Sequence, residues 1–407
     1  PPQPASGSLS TSKTYDWLLE NTINYQVKIA DHKFSALGVM SLQKNDYSSS
    51  YLSGSGFPDD IVQTLNAATI TSGSTNAETW SMVSYIGRLN YDYKEKYILT
   101  GTIRADGCSR FGANNKYGTF PSASFGWRIT NEKFIPKVKW LSDLKLRLSY
   151  GLSGNNDIGN YNQIPQVVSS NYNLSGVVVS GKTLSGIANQ NLGWEVSKQF
   201  DAGLDFILFD GRINLILDYY HRLTEDMLCD IDIPSSSGYG SILTNLGKIR
   251  NKGFEFSISS KNLEKRPLKW DTDFNISFNR NKVLNMGPID AIYAGMDYIQ
   301  SNVTKVGHPM GMFNGYQFVK IFDTQEEIDA NPHYPDQIPG SAQYVDTNKD
   351  GEISEADKTI IGDSHPDFTF GLTNRFSYKS FDLSFLLTGS YGNQVMAVYE
   401  CSTMNLD

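Results

Sequence analysis

The chain has 407 residues, of which 39% are hydrophobic, 19% charged and 12% aromatic, and its formal net charge is −8. The acidic balance argues against a nucleic-acid partner, and no run of about 18 apolar residues is present to form a transmembrane helix. Abundant Tyr, Phe and Gly (23, 21 and 35) with moderate hydrophobicity point to β-structure with long polar loops, a class whose membrane-spanning members escape that helix criterion.

Residues 1–13 read as a lead-in without a Met or a signal peptide, so the chain reads as a processed product or a piece of a longer protein. From Tyr15 the pattern changes to period-two alternation. Residues 22–30 and 33–43 flank a turn at Asp31 and His32 and predict a hairpin. Residues 44–78, rich in Ser, Gly, Asn and Thr, read as a long loop. Residues 81–93 and 97–104 predict a second hairpin around YKEK, and a Gly-rich loop, DGCSRFGANNKYG, covers 106–118. Strands near 120–130 and 144–150 come next, then another polar loop over 153–191.

The alternation separates two faces. In 144–150, Leu144, Leu146, Leu148 and Tyr150 oppose Lys145, Arg147 and Ser149. In 254–259, Phe254, Phe256 and Ile258 oppose Glu255, Ser257 and Ser259, and 274–279 and 381–387 repeat the pattern. Two features favour a membrane barrel over a soluble sandwich: strands well beyond the roughly 5–6 residues usual in soluble sheets, and loops that alternate strictly between short and long. Short connections fall at Asp31–His32, 93–96, 131–141, Asp210–Gly211, 261–267 and Lys379–Ser380; long ones fall at 48–78, 106–118, 153–191, 229–247 and 284–365. Outer-membrane barrels have short periplasmic turns and long extracellular loops. The parity predicts an all-β antiparallel meander, a partial barrel of about twelve spanning strands, with 284–365 as one extracellular excursion and 311–322 inside it rather than across the membrane. Tyr91, Tyr93, Trp127, Trp140, Tyr219, Tyr220, Trp270, Phe376 and Tyr378 cluster near strand ends, as interfacial girdles or as ordinary cross-strand pairs.

The excursion holds the sharpest chemical motif, DTNKDGEISEAD at 346–357. It places Asp346, Asn348, Asp350, Ser354 and Asp357 at positions 1, 3, 5, 9 and 12 of a calcium-type loop, with the carbonyl of Glu352 at position 7 and Gly351 at the sharp turn. Asp357 stands where an EF-hand has Glu; its shorter reach predicts weaker binding. Such a site, outside the cell and between strands rather than helices, reads as a structural Ca2+ staple, against the alternative of an acidic turn without metal.

Catalytic signals are sparse. No GxSxG, HExxH, P-loop or GxGxxG occurs, the five His are not at ligand spacing, and no two carboxylates stand out as a pair. Cys108, Cys229 and Cys401 define no disulfide framework. Arg88, Arg104 and Arg147 on polar faces are expected in ion-pair ladders with Asp92 and Glu255, or lining a lumen. Tyr161, Tyr172, Tyr239, Tyr293 and Tyr298 are loop aromatics that can stack on sugars or pack the loops.

Residues 84–134, SYIGRLNYDYKEKYILTGTIRADGCSRFGANNKYGTFPSASFGWRITNEKF, closely resemble a signature stretch of SusC/RagA-type TonB-dependent transporters. LKLRLSYGLSGNNDIGNY, NLGWEVSKQFDAGLDF, NLGKIRNKGFEFSI, VGHPMGMFNGYQF and DTNKDGEISEADKTIIGDSHPDFTFGLTNRF continue the likeness in order, so that it covers nearly everything from about Tyr15 onward. Cys108 stands where that family often has Ser. The resemblance implies an outer-membrane importer of a Bacteroidetes-like bacterium. Such a protein takes up glycans or oligosaccharides, or peptides, with a SusD-like surface lipoprotein and energy from the TonB complex. No plug or TonB box is visible, so 14–407 is expected to be the C-terminal portion of the barrel. Two other readings remain at this point: a structural or adhesive surface β protein, and a calcium-containing carbohydrate-active β enzyme.

Overall fold

The computed structural model describes residues 5–397, other than 59, 60, 63, 265, 297 and 298. Cys401 and Tyr298 lie outside the described residues. Twelve strands form one antiparallel sheet: β1 (Ser6–Ile29), β2 (His32–Ser55), β3 (Thr69–Tyr93), β4 (Tyr97–Cys108), β5 (Tyr117–Arg128), β6 (Leu141–Asn155), β7 (Glu195–Leu208), β8 (Ile213–Asp232), β9 (Ser241–Leu263), β10 (Leu268–Met286), β11 (Phe368–Tyr378) and β12 (Phe381–Tyr391). Each pairs with its neighbours in this series, so the sheet is the expected meander. The short connections all lie at one end. There the tight turns need left-handed backbone, which non-glycine residues supply at Ala30 (φ 51°), Lys94 (55°), Asp210 (58°) and Lys379 (53°).

Two boundaries differ from the sequence reading. Residues 6–13 are not a lead-in but the first part of β1, paired residue by residue with 48–55 of β2. Likewise most of 44–78 is strand: 44–55 belongs to β2 and 69–78 to β3, which pair with each other. The cause is composition. These strands run 24, 24 and 25 residues, whereas a tilted strand crosses a bilayer in about 9–11. The surplus stands in water as a ribbon with both faces polar, and Ser- and Gly-rich text without alternation reads as loop.

Residues directly opposite in antiparallel strands share a face, so register carries each face across the sheet. From β4 to β11 one row runs Tyr97, Trp127, Leu146, Leu204, Leu217, Phe256, Ile276, Phe370. The adjoining row on the other face runs Ile98, Gly126, Arg147, Gly203, Asp218, Glu255, Ser277, Thr369. One face is thus apolar and outward, the other polar. Aromatic stacks gather on the apolar face near the short turns, among His32, Phe34, Tyr91, Tyr93 and Tyr97, and again in Trp270 against Phe376 at 5.6 Å. Tyr220 is the exception among the girdle candidates: it lies on the polar face and its hydroxyl donates to Asn279 Oδ1 at 3.0 Å.

The long connections carry their own structure. A hairpin of Val167–Leu174 and Val177–Leu184 rises between β6 and β7. The excursion between β10 and β11 holds a four-stranded sheet (Ala291–Met296, Ile299–Lys305, Met312–Gly315 and Thr359–Gly362), a ribbon of Phe318–Ile321 and Ala342–Tyr344, and a short helix, Gln325–Asp329. The segment 311–322 therefore stays out of the large sheet, as the loop parity requires.

Candidate functional site: the polar face and the loop assemblies above it

The polar face is a wall of mutually bonded side chains. Arg147 is its clearest element. Its Nη2 lies 2.8 Å from both Asp205 and Asp218. Between Arg147 and Asp218 in the same row sits Gly203, where a Cβ would come within 2.3 Å of Asp218 Oδ1 and 2.6 Å of Arg147 Nη2. Only the missing side chain lets the guanidinium cross a whole strand. Nearby, Asp201 accepts from Ser149 and Gln199, and Arg222 donates to Gln199 at 2.7 Å. Arg104 chelates Asp106 at 2.7 Å, Arg88 donates to Thr102 at 3.2 Å, and Arg375 pairs with Asp273. The expected ladder exists, but its carboxylates are Asp106, Asp205, Asp218 and Asp273 rather than Asp92 and Glu255. Strands are about 4.8 Å apart; Glu255 lies one strand beyond Asp218 in the row of Arg147, and Asp92 hydrogen-bonds the turn, accepting from the Glu95 N–H at 2.9 Å. Paired charges, amides and hydroxyls of this kind offer hydrogen bonds to a polar solute. No nucleophile with an oriented base occurs among them.

Above the wall, the signature motifs fold into one knot. Phe111 and Leu192 are fully buried, with Cys108, Phe120, Ile158 and Trp194 around them. Phe111 and Trp194 rings are 4.7 Å apart, and Trp194 Nε1 donates to the Lys116 carbonyl at 3.1 Å. The loop after β4 runs so close to the 189–192 segment that a Cβ at Gly112 would meet Gln190 O at 2.1 Å. Arg110 donates to Asn160 Oδ1 (2.8 Å) and the Asn156 carbonyl (3.2 Å) while lying 4.7 Å over the Trp80 ring. The Tyr161 hydroxyl accepts from the Thr79 N–H. DGCSRFG, GNNDIGNY and NLGWE are therefore scaffold: they bind β3, β4 and β5 to the loop before β7. Cys108 is a 1% exposed core residue, not a reactive thiol. Of the other loop aromatics, Tyr172 and Tyr293 are exposed and Tyr239 is half-buried.

The calcium-type loop curls on itself. Asp346 accepts from the N–H groups of Lys349 (2.6 Å) and Gly351 (2.9 Å). Asn348 Oδ1 accepts from Asp350 N–H (3.0 Å), and Asp350 Oδ1 from Glu352 N–H (2.9 Å). Gly351, at φ 90°, makes the turn that position 6 requires. Asp357 behaves differently. It is completely buried and accepts from Thr347 N–H (2.8 Å), Thr347 Oγ1 (3.3 Å), Asn348 N–H (3.4 Å) and Ser354 N–H (2.9 Å). These backbone donors, Ser354 first, hold its carboxyl below the ordinary carboxylate range. Ser354 caps the short turn Glu355–Asp357. Beside the loop, Tyr316 packs against Tyr334 and Tyr344 and donates to Glu355 at 3.1 Å; burial, with Tyr334 and Glu355 beside it, pushes its phenol up.

Among the described residues no three His, Cys, Asp or Glu side chains converge as a metal cluster. The oxygens of Asp346, Asn348 and Asp350 keep lone pairs beyond their hydrogen bonds, and these and the Glu352 carbonyl are hard oxygens, the donor type calcium takes. Asp357, engaged on both oxygens, fits as the clasp that closes the loop. Sequence reasoning missed the clasp because its partners are backbone N–H groups, which no side-chain pattern shows.

The family profile described as "TonB dependent receptor-like, beta-barrel" matches residues 3–397. A TonB-dependent receptor of Formosa agariphila is 37% identical over 398 residues, covering 96% of this chain and 40% of that protein. The TonB-dependent receptor SusC of Bacteroides thetaiotaomicron is 36% identical over 348 residues, covering 83% and 34%. Among solved structures, the RagAB peptide importer in its "open-open" state superposes with a TM-score of 0.81 at 25% identity, covering 95% of this chain and 42% of that one. The chain thus spans about 40% of the length of these relatives. They are receptors and transporters, which removes the enzyme reading.

Proposed function

Because this chain belongs to the TonB-dependent receptor-like β-barrel family, we propose that it forms part of the wall of an active outer-membrane importer. The observation that carries this reading is the two-faced meander: a continuous apolar face for lipid, backed by a bonded polar wall for a water-filled path. In this reading the importer works with a SusD-like surface lipoprotein, draws energy through TonB, and carries glycans or oligosaccharides; peptides are the alternative cargo, supported by the likeness to the RagAB peptide importer. The test is a deletion strain complemented with the full-length protein, grown on glycans or on peptides as sole nutrient, with co-purification of surface lipoproteins. A nutrient-specific growth defect and a co-purified lipoprotein support the proposal. Unchanged growth on every nutrient, with a protein that stays monodisperse without detergent, overturns it in favour of a surface structural protein.

We also infer that the 346–357 loop takes Ca2+ through Asp346, Asn348, Asp350 and the Glu352 carbonyl, with Asp357 closing the ring from behind. The favouring observation is the register of the loop's own hydrogen bonds, which link positions 1 to 4 and 6, 3 to 5, and 5 to 7. Amide exchange over 340–365 in Ca2+ and in chelator reads it out. Slower exchange with Ca2+, lost in Asp350→Ala, supports the site; identical exchange in both conditions reduces it to an acidic turn.

A further inference from the structure

The outward face changes character abruptly on β8 to β10. Tyr219 faces Phe254, and Phe254 faces Phe278, forming an aromatic rung on the apolar side. One rung further from the short turns, about 7 Å along the strands, the same face carries Phe200 on β7 and then His221, Lys252 and Arg280 in register. The next rung carries Lys198, then Leu223, Arg250 and Lys282. Aromatic girdles mark the boundary between hydrocarbon and headgroups, so the Lys and Arg side chains of these rungs stand at the height of the outer-leaflet headgroups.

The patch is only partly neutralised. Glu225 bridges Lys198 and Lys248, with Asp226 also near Lys198, and Asp367 pairs with Arg280 at 2.9 Å. Among the described residues Arg250, Lys252 and Lys282 have no ion pair, and the buried Nε of Arg250 has no hydrogen-bond partner. Lys252 and Lys282 are exposed. This runs against the chain's overall charge of −8. It is also local: on the same face of β2, Lys44 is answered by Asp46 at 2.9 Å.

We infer that this patch seats the phosphate of an outer-leaflet glycolipid. It faces away from the polar wall, so cargo does not reach it. Guanidinium matches phosphate geometry, and adjacent lysines add point charge. The aromatic rung below gives the acyl chains an apolar bed, which a free anion does not need. The inference rests on the outward assignment of the apolar face and is independent of what the importer carries.

The experiment uses the full-length protein in non-ionic detergent, with monophosphorylated lipid A, dephosphorylated lipid A and inorganic phosphate as probes, read by native mass spectrometry. Arg250→Gln/Lys252→Gln/Lys282→Gln should weaken binding of the phosphorylated lipid about a hundredfold. Lys252→Gln/Lys282→Gln changes only exposed positions, keeps the fold, and should cost roughly thirtyfold. Dephosphorylated lipid A should bind wild type no better than phosphorylated lipid binds the triple variant. Equal binding of the two lipids, indifference to both variants, or full displacement by millimolar inorganic phosphate would each overturn the assignment.

Discussion

The two loop assemblies above the sheet are held by opposite means. The knot over β3 to β7 is closed by rings and glycines, with Phe111, Leu192 and Trp194 at its centre. In the excursion after β10 the buried apolar residues among those described, Val303, Met312, Phe322, Ile328 and Ile353, are spread along the chain, and its sharpest turn is tied by the carboxylate of Asp357 to three backbone N–H groups. The first depends on shape, and solution conditions scarcely touch it. The second depends on the ionisation state of one oxygen pair. The most conspicuous family motif thus proves to be architecture, while the adaptable chemistry sits in the excursion.

The comparison is broken most forcefully in the knot. Phe111→Ala removes a fully buried ring and should destabilise by about 3–5 kcal/mol, seen as a lower melting temperature and fast amide exchange in both 106–118 and 186–194. Gly112→Ala should do the same through the collision with Gln190. Neither should alter exchange at 345–358; if it does, the two assemblies are coupled and the contrast fails. Next in size, Asp357→Asn keeps the side chain's shape but replaces an acceptor oxygen by a donor facing backbone N–H groups. It should release 345–358 while leaving the knot protected.

Acid sharpens the same contrast. The folded Asp357 carboxyl lies below its unfolded value of about 3.9, so its stabilisation is fully present above that value. It is lost as pH falls from there through the depressed folded value. Exchange protection of 345–358 should therefore hold from neutral pH to about 5 and disappear in stronger acid before that of 106–118; simultaneous loss would contradict the clasp. The smallest effect is expected on the wall. Arg147→Gln removes two partly exposed ion pairs and should shift stability by no more than about 1 kcal/mol for each by thermal unfolding in detergent.

Alternation in 144–150 and 254–259 made strands, faces and meander legible in the sequence, because a sheet between lipid and water repeats its pattern every second residue. Loop parity located the excursion correctly for the same reason. What could not be read was anything that depends on register. Arg147 finds Asp218 across Gly203 only once three strands are aligned, and Cys108 meets Phe111 and Trp194 only once two distant loops close. The calcium-type spacing was visible, but the burial of Asp357 was not, since its partners are main-chain groups.

One charge on the wall remains unanswered. Arg147 is a single cation held between two anions, Asp205 and Asp218, so the trio as a group carries a net negative charge. At physiological ionic strength such a charge is felt over about 8 Å. If the wall lines a solute path, as proposed above, this charge is expected to disfavour sulfated or uronic solutes relative to neutral ones in uptake by the full-length protein, and added salt should erase the difference.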